Sequence, residues 1–478
     1  MHRIIVATGL MAVVVPAMAA MAPPGIAPVA APQAAAPAAP DTAPIDPKAA
    51  EKAARIAAKL DAKKQKDLHA KYGDGPYPDE IAAYTGTRAE ALRPLYRNLF
   101  VGGERNAVLN FERLGLAAFD AGLYKDSAWA FDQALARIEA IYADNAQAAT
   151  ARSIFHNEAN KDFKGEPYER AMAYYYRGLL YLRDGDFGNA HASFKNAEYQ
   201  DTVSDTEQFQ SDFAVMNYLM GWTQRCQGRD ATAKEYFALA AKAEKGLAEP
   251  APGDNVLFLA ELGNGPVKVR DAAQAQKLVF QGGEAYPETA ASITYTAANT
   301  PHSVPLVRAS SVVYQATTRG GRKIDGLMNG KANWKEGTDA VGTALTTQGL
   351  MSGDATGGYM QMAGALFSMF SSSMKTRADI RAWDGLPDLI MVGTARATAP
   401  DWTYAVSYAD KKGPLPLTGA TTRADTKTCS IVWTRSRPAT FGEAIIGEDD
   451  GVAAALNRKK PIQAKNKQFR TQLLEQKL

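Results

Sequence analysis

Apolar residues recur at three- and four-residue spacing from about Thr85 to Ala248, in segments joined by glycine or aspartate turns, so this stretch is predicted to be all-helical. After Pro250 the pattern switches. NVLFLAELG, GPVKVR, QKLVFQG, ASITYTAA, VPLVRASSVVYQATT, LIMVGTARAT, WTYAVSYA and CSIVWTRSR are short alternating or β-branched runs separated by Gly, Pro and Asn, and they predict strands. Between these strand groups, Trp334 to Ile390 carries apolar and small residues suited to a helical insertion. Its core GGYMQMAGALFSMF is too short to span a bilayer and is expected to be a buried helix. Asp46 to Gly73 is rich in Ala and Lys with few large apolar side chains, which predicts a solvated helix. The basic end from Arg458 to Leu478 is expected as a mobile helix or tail. The predicted fold class is α+β and multidomain. A polar helix and loop (46–84) precede a helical domain (85–248), a β-rich domain (249–450) with its insertion at about 334–390, and the tail (451–478).

Within the helical stretch three segments share one rhythm. Gly115 and Gly122 are followed by Tyr124, Phe131 and Ala134; Gly178 and Gly185 by Phe187, Ala190, Phe194 and Ala197; Gly221 and Gly228 by Ala233, Phe237 and Ala240. The offsets of the glycines, the phenylalanine and the last alanine agree in all three, so these segments resemble tetratricopeptide repeats, and the resemblance implies a solenoid of helical hairpins. The first glycine is expected to remove a side chain where two helices cross, and the second to support a turn through positive φ. The phenylalanines are expected to fill the space between repeats, and the alanines to permit close approach. The repeats are not tandem, so insertions such as Ser153 to Glu169 must form extra helix or loop.

Such repeats usually bind a partner along the groove lined by their first helices. The groove offsets fall on Glu112, Leu116, Phe119 and Asp120 in the first repeat and on Tyr175, Leu179, Leu182 and Arg183 in the second. In the third they fall on Tyr218, Trp222, Arg225 and Cys226. The second and third sets are aromatic and cationic, the mix that dominates interface hot spots. The competing expectation is that N-terminal helices or the β-rich domain cover these positions as ordinary core.

Composition excludes some classes. The hydrophobic fraction is 46% and the charged fraction 22%, as in globular chains, and a net charge of +3 is too small for a nucleic-acid reading. MHRIIVATGLMAVVVPAMAAM has a basic start, a short apolar run and small residues at Ala17 and Ala19, the pattern of a signal peptide over 1–20. No cysteine follows to accept a lipid, and the Pro/Ala-rich stretch 21–45 reads as a semi-rigid linker. The expected address is the bacterial periplasm or cell envelope. The two cysteines, Cys226 and Cys429, permit one disulfide in such a compartment. They lie far apart, in segments assigned to different domains, and are expected as two separate thiols.

A second resemblance covers Lys164 to Ile390 in scattered blocks. KGEPYERAMAYYYRGLLYLRDGDFGNAHASFKNAEYQD, ELGNGPVKV, KIDG and TRADIRAWDGLPDLI are similar to a family of exported bacterial envelope proteins and lipoproteins. Its members carry tetratricopeptide-like helices and a C-terminal β-containing domain, and the family has no established activity.

Candidates for catalysis are thin. His156, His191 and His302 are isolated, without HxH or HxxxH spacing for a metal, and there is no nucleotide-binding GxxxxGK[ST], GxSxG elbow or CxxC pair. Ser372 to Lys375 satisfies SxxK, but the matching KTG triad is replaced by Lys427, Thr428 and Cys429, so that match is rejected. No catalytic residue, cofactor or metal site is expected. The leading expectation is a non-enzymatic exported scaffold or adaptor that binds an envelope protein or peptide in its helical groove. The alternative is a peptidoglycan-associated hydrolase or a regulator of cell-wall synthesis.

Overall fold

The switch in periodicity near Pro250 is the boundary between the helices and the strands. The computed structural model describes residues 47–72, 75–142, 162–202, 212–270, 278–297, 300–318, 380–397, 402–416, 419–441 and 460–476. The signal peptide and linker, His156, most of the predicted helical insertion and the SxxK match lie outside the described residues.

Helix α1, Pro47–Tyr72, is exposed along almost all of its described length, as its Ala/Lys composition predicts. Two short helices follow, α2 (Pro78–Gly86) and α3 (Arg93–Gly102). Three helical hairpins come next: α4 (Ala107–Asp120) with α5 (Tyr124–Tyr142), α6 (Pro167–Arg183) with α7 (Phe187–Thr202), and α8 (Ala214–Cys226) with α9 (Asp230–Ala243). Each hairpin packs on the next in chain order.

The shared glycines have the predicted uses. A Cβ on Gly115 would lie 2.9 Å from the ring of Phe131, one on Gly221 would lie 2.8 Å from the ring of Phe237, and one on Gly178 would collide with Phe194. Gly122, Gly185 and Gly228 turn the chain at φ of +72°, +75° and +72°. Each phenylalanine therefore sits on the glycine of its own hairpin, where it was expected between repeats. Phe131 also reaches the next hairpin, stacking on Tyr176 at 5.8 Å.

The strands form three sheets. Five strands run in the order β10-β11-β1-β7-β6, where β1 is Val256–Leu262, β6 Val307–Ser311, β7 Leu389–Ala395, β10 Thr421–Asp425 and β11 Ser430–Arg435. Four run β5-β4-β8-β9, with β4 at Ala290–Ala297, β5 at Thr300–Pro305, β8 at Thr403–Asp410 and β9 at Gly413–Leu415. Strands β2 (Pro266–Arg270) and β3 (Leu278–Gly282) make a separate ribbon. Within VPLVRASSVVYQATT the strand stops at Ser311, whose Oγ accepts from the Tyr314 amide at 3.0 Å and caps the short helix α10, Val312–Thr317. Strands β5, β9 and β10 were not anticipated; they are short or polar, with exposed edges.

Strand β1 explains the layering. All seven of its residues are buried, because both faces of the five-stranded sheet are covered. Leu257 and Leu259, with Ile431, Trp433, Ile390 and Val392, belong to one apolar cluster with the first helices of the hairpins. Val256, Phe258, Ala260 and Leu262 face Ile293, Tyr295, Trp402 and Tyr408 of the four-stranded sheet and its approach. The result is an α+β fold in which helices, first sheet and second sheet are stacked as layers.

Two expectations about the ends of this assembly are corrected. Cys226, the last residue of α8, is bonded to Cys429 just before β11, so the two thiols are not separate. The helical hairpins and the strands share a core, and that brings distant cysteines to a Cα separation of 5.7 Å. The basic C-terminus is also docked. In α11, Lys460–Glu475, the pair Phe469 and Leu473 lies one helical turn apart and is buried with Tyr96, Phe100 and Phe111. Asn466 accepts from the Glu104 amide at 3.1 Å, and Trp129 donates to Gln476 at 2.7 Å.

The outer face of the four-stranded sheet has an unusual composition. Its cross-strand rows read Pro301–Thr296–Thr403, Ser303–Thr294–Ala405, Pro305–Ser292–Ser407 and Ala290–Ala409–Pro414. These positions are exposed or half-buried, and none carries a charge.

Candidate functional site

The predicted groove residues do line one side of the hairpins, on α4, α6 and α8. That side is not open. Glu112, Leu116, Phe119, Tyr175, Leu179, Leu182, Tyr218, Trp222 and Cys226 are buried, and Asp120 and Arg225 are largely so. Only Arg183 keeps substantial exposure, 32% of its side chain, lying over the Tyr124 ring and pairing with Asp184. The covering layer belongs to the same chain. Phe119 meets Trp433 edge to face at 4.7 Å, the Val215 amide donates to Ser310 at 3.0 Å, and Arg225 donates to the Pro250 and Ala251 carbonyls. The competing expectation, cover by the β-rich part, is the one realised. A doubly covered sheet needs a second apolar face against it, and the aromatic groove supplies that face.

The buried polar groups at this seam form two networks. In the first, Glu261 of β1 projects toward the helices and accepts from Tyr175 at 3.1 Å, Tyr176 at 2.8 Å and Trp433 Nε1 at 3.0 Å. Arg435 of β11 lies 3.6 Å from Glu261 and 3.7 Å from Asp120, and its Nη2 donates to the Gly385 carbonyl at 2.7 Å. Burial pushes the Glu261 and Asp120 carboxyls up, and the nearby Arg435 charge opposes that in both. In the second network Lys268 of β2 pairs with Glu169 at 2.9 Å and Glu166 at 3.5 Å, and Glu169 also accepts from the Trp383 amide at 2.8 Å. Glu112 stands beside it, fully buried, and neither carboxyl oxygen has a hydrogen-bond partner among the described residues. Burial, and then the Glu169 charge, push its carboxyl well up.

Next to these networks is a partly open cavity of about 200 Å³. Three loops build it: the turn from Gly263 to Val267 between β1 and β2, the approach Trp383 to Leu386 before β7, and Arg435 to Thr440 after β11, with Gly283 and Glu284 at its margin. The glycines are there for space. A Cβ on Gly265 would lie 2.8 Å from the Leu386 carbonyl oxygen, while one on Gly263 would collide with Tyr286 and one on Gly385 with Phe441. Asp384 is held by a bidentate pair from Arg113, both bonds 2.8 Å. Arg437 is held the same way by Glu288, at 2.8 and 2.7 Å. Burial would raise the Glu288 carboxyl, but the hydrogen bonds from Arg437 and Ser436 outweigh it and hold the group below its usual range. Two residues that line the cavity also carry a donor with no surface open to it, and Arg435 Nη1 faces Asp120 Oδ1 at 3.7 Å. Trp383 Nε1 and Arg435 Nη1 are buried without a hydrogen-bond partner among the described residues.

No cavity residue was among the predicted site residues. The available signal was the pair of blocks ELGNGPVKV and TRADIRAWDGLPDLI, whose glycines and turn residues meet here. Of the histidines, His191 lies against Tyr236, its basicity lowered by burial and then by Lys195 and Arg229. His302 stacks on Tyr295 at 5.0 Å. Among the described residues no group of three or more His, Cys, Asp or Glu side chains could hold a metal ion, and no helix is long and apolar enough to cross a membrane. In comparisons with known proteins, no family model, no curated protein and no solved structure matches this chain.

Proposed function

We propose that this chain is an exported scaffold of the bacterial cell envelope in which tetratricopeptide-like repeats hold their own β-rich part, leaving the outer sheet face to dock a partner. The uncharged rows of β4, β5 and β8 carry this reading. Exposed sheet faces are ordinarily studded with charges that discourage association. A face of Ser, Thr, Ala and Pro favours a protein surface that is itself uncharged, since no desolvated charge would be left unpaired. The leader pattern, the Pro/Ala linker and the Cys226–Cys429 disulfide support export to an oxidising compartment.

The test places a photocrosslinking residue at Thr294 or Ser407 in cells and compares recovery with Thr294→Lys and Ser407→Lys chains. Both sites are exposed, so unfolding should be unchanged, while the crosslinked envelope protein should be lost from the lysine variants. Equal recovery from the lysine variants would sink the reading. The cavity favours a second reading, regulation of peptidoglycan synthesis through a bound small ligand. Cosedimentation with purified peptidoglycan that survives the lysine substitutions would put that reading first.

A further inference from the structure

Helix α1 has two unlike sides, and both face water. Every residue from Glu51 to Asp67 is exposed. At about 3.6 residues per turn, Lys52, Arg55, Lys59, Lys63 and Lys66 fall within about 80° of one another around the helix, a cationic row about four turns long. Beside that row Ala53, Ile56 and Leu60 form a short apolar ridge, with Ile56 51% and Leu60 63% exposed. Of the acidic residues of α1, Glu51 and Asp61 lie outside both rows, and Asp67 lies past the end of the ridge. A cationic row calls for an anionic surface, and the ridge beside it decides which kind. A hydrated acidic polymer would pair with the lysines and leave Ile56 and Leu60 in water. A second copy of the helix would need apolar positions sustained over about three or four heptads, whereas this ridge gives way to Lys63 and Asp67, and pairing would set like charges side by side. A bilayer surface satisfies both rows at once, because headgroup phosphates take the cations while the ridge enters the boundary of the acyl chains. We propose that α1 lies on the surface of an anionic lipid bilayer, held by Lys52, Arg55, Lys59, Lys63 and Lys66 and seated by Ile56 and Leu60. This contact uses none of the residues of the outer sheet face, so either proposal can fail without the other.

The test is sedimentation of the full exported chain, its leader removed, with vesicles of equal parts phosphatidylglycerol and phosphatidylcholine and with vesicles of phosphatidylcholine alone. The chain should bind the first and not the second, and should be released as added salt shortens the screening length. Each basic residue near such a surface is worth about fivefold in partitioning, so Lys52→Gln/Lys59→Gln/Lys66→Gln should bind about a hundredfold more weakly. Ile56→Gln/Leu60→Gln keeps every charge and should lose about tenfold. All five positions are exposed, so both variants should unfold at the parent's midpoint. Equal binding to both kinds of vesicle, or no binding to the anionic ones at low salt, would overturn the proposal. So would undiminished binding by Ile56→Gln/Leu60→Gln, which would make the contact one of charge alone, or self-association of the parent chain that this variant abolishes, which would assign the ridge to a second copy.

Discussion

Replacing Gly221 by alanine tests the packing rule that underlies the three hairpins. On an open helix face the change should be favourable, because glycine costs about 1 kcal/mol relative to alanine in a helix interior. Here the new Cβ would lie 2.8 Å from Phe237 Cε1, 2.9 Å from Cδ1 and 3.1 Å from the Ala233 carbonyl oxygen. The ring cannot simply retreat, since Phe237 is buried against Tyr218 at a ring separation of 5.1 Å. Helices α8 and α9 must therefore move apart, and overpacking of this kind costs about 1–3 kcal/mol. Subtracting the propensity gain leaves a net loss of up to about 2 kcal/mol. Gly188, at the start of α7, is the control, because its Cβ would meet only Asp186 Oδ1 at 3.8 Å, so Gly188→Ala should be neutral or stabilising by a few tenths of a kcal/mol. Urea unfolding followed by circular dichroism reads both. A double-mutant cycle with Phe237→Leu should show coupling of at least about 1 kcal/mol, as the smaller side chain makes room for the methyl group. A Gly221→Ala chain more stable than the parent by about the 1 kcal/mol expected of an open helix face, or strict additivity with Phe237→Leu, would refute the reasoning.

Other outcomes follow from the seam. Replacing Cys226 and Cys429 by serine should lower stability by up to about 5 kcal/mol, the loop-closure ceiling for a loop of roughly 200 residues; reductant should shift the parent's denaturation midpoint to that of the variant, and two reactive thiols in the unreduced chain would contradict the bond. Glu112→Met should be neutral or stabilising by about 1–3 kcal/mol, because it removes two buried oxygens without partners at similar volume. Since the Glu112 carboxyl is raised in the folded chain, its cost grows as pH rises above the ordinary carboxylate range, so the advantage of the variant should be larger at pH 7 than at pH 4 in thermal unfolding. Glu288 has the opposite sign: its folded pKa is lowered, so its pairing stabilises above the unfolded value of about 4.3 and is lost as pH falls through the folded value. Arg437→Gln should therefore cost stability at pH 7 and progressively less toward pH 3, and a pH-independent deficit would count against the pair.

The hairpins were legible from residues alone because their determinants are local. Gly178 and Phe194 lie about four helical turns and one tight turn apart, and the positive φ of Gly185 is a property of a single residue. Most strands were legible for the same reason, through runs such as VLFLAEL. Burial of the whole of β1 on both faces also implied two covering layers, yet nothing in its pattern named them. Glu261 shows the limit. In sequence it is one polar residue near the end of an apolar run, and only the docking of β1 on α6 gives it Tyr175 and Tyr176, as its pairing with β11 gives it Trp433.

Local repetition by itself determined the helical hairpins, their turn glycines and the change to strands after Pro250. Tertiary structure alone decided that the aromatic groove is filled by the chain's own sheet, that Cys226 meets Cys429, that the basic C-terminus docks through Phe469 and Leu473, and that three loops, two of them bearing glycines, close around a cavity. The physical reason is that periodicity records which face of an element must leave water, whereas the identity of its cover depends on contacts between residues hundreds of positions apart. The same aromatic and cationic residues suit a partner's surface or the chain's own strands equally well, and here the doubly apolar β1 is the strand that takes them.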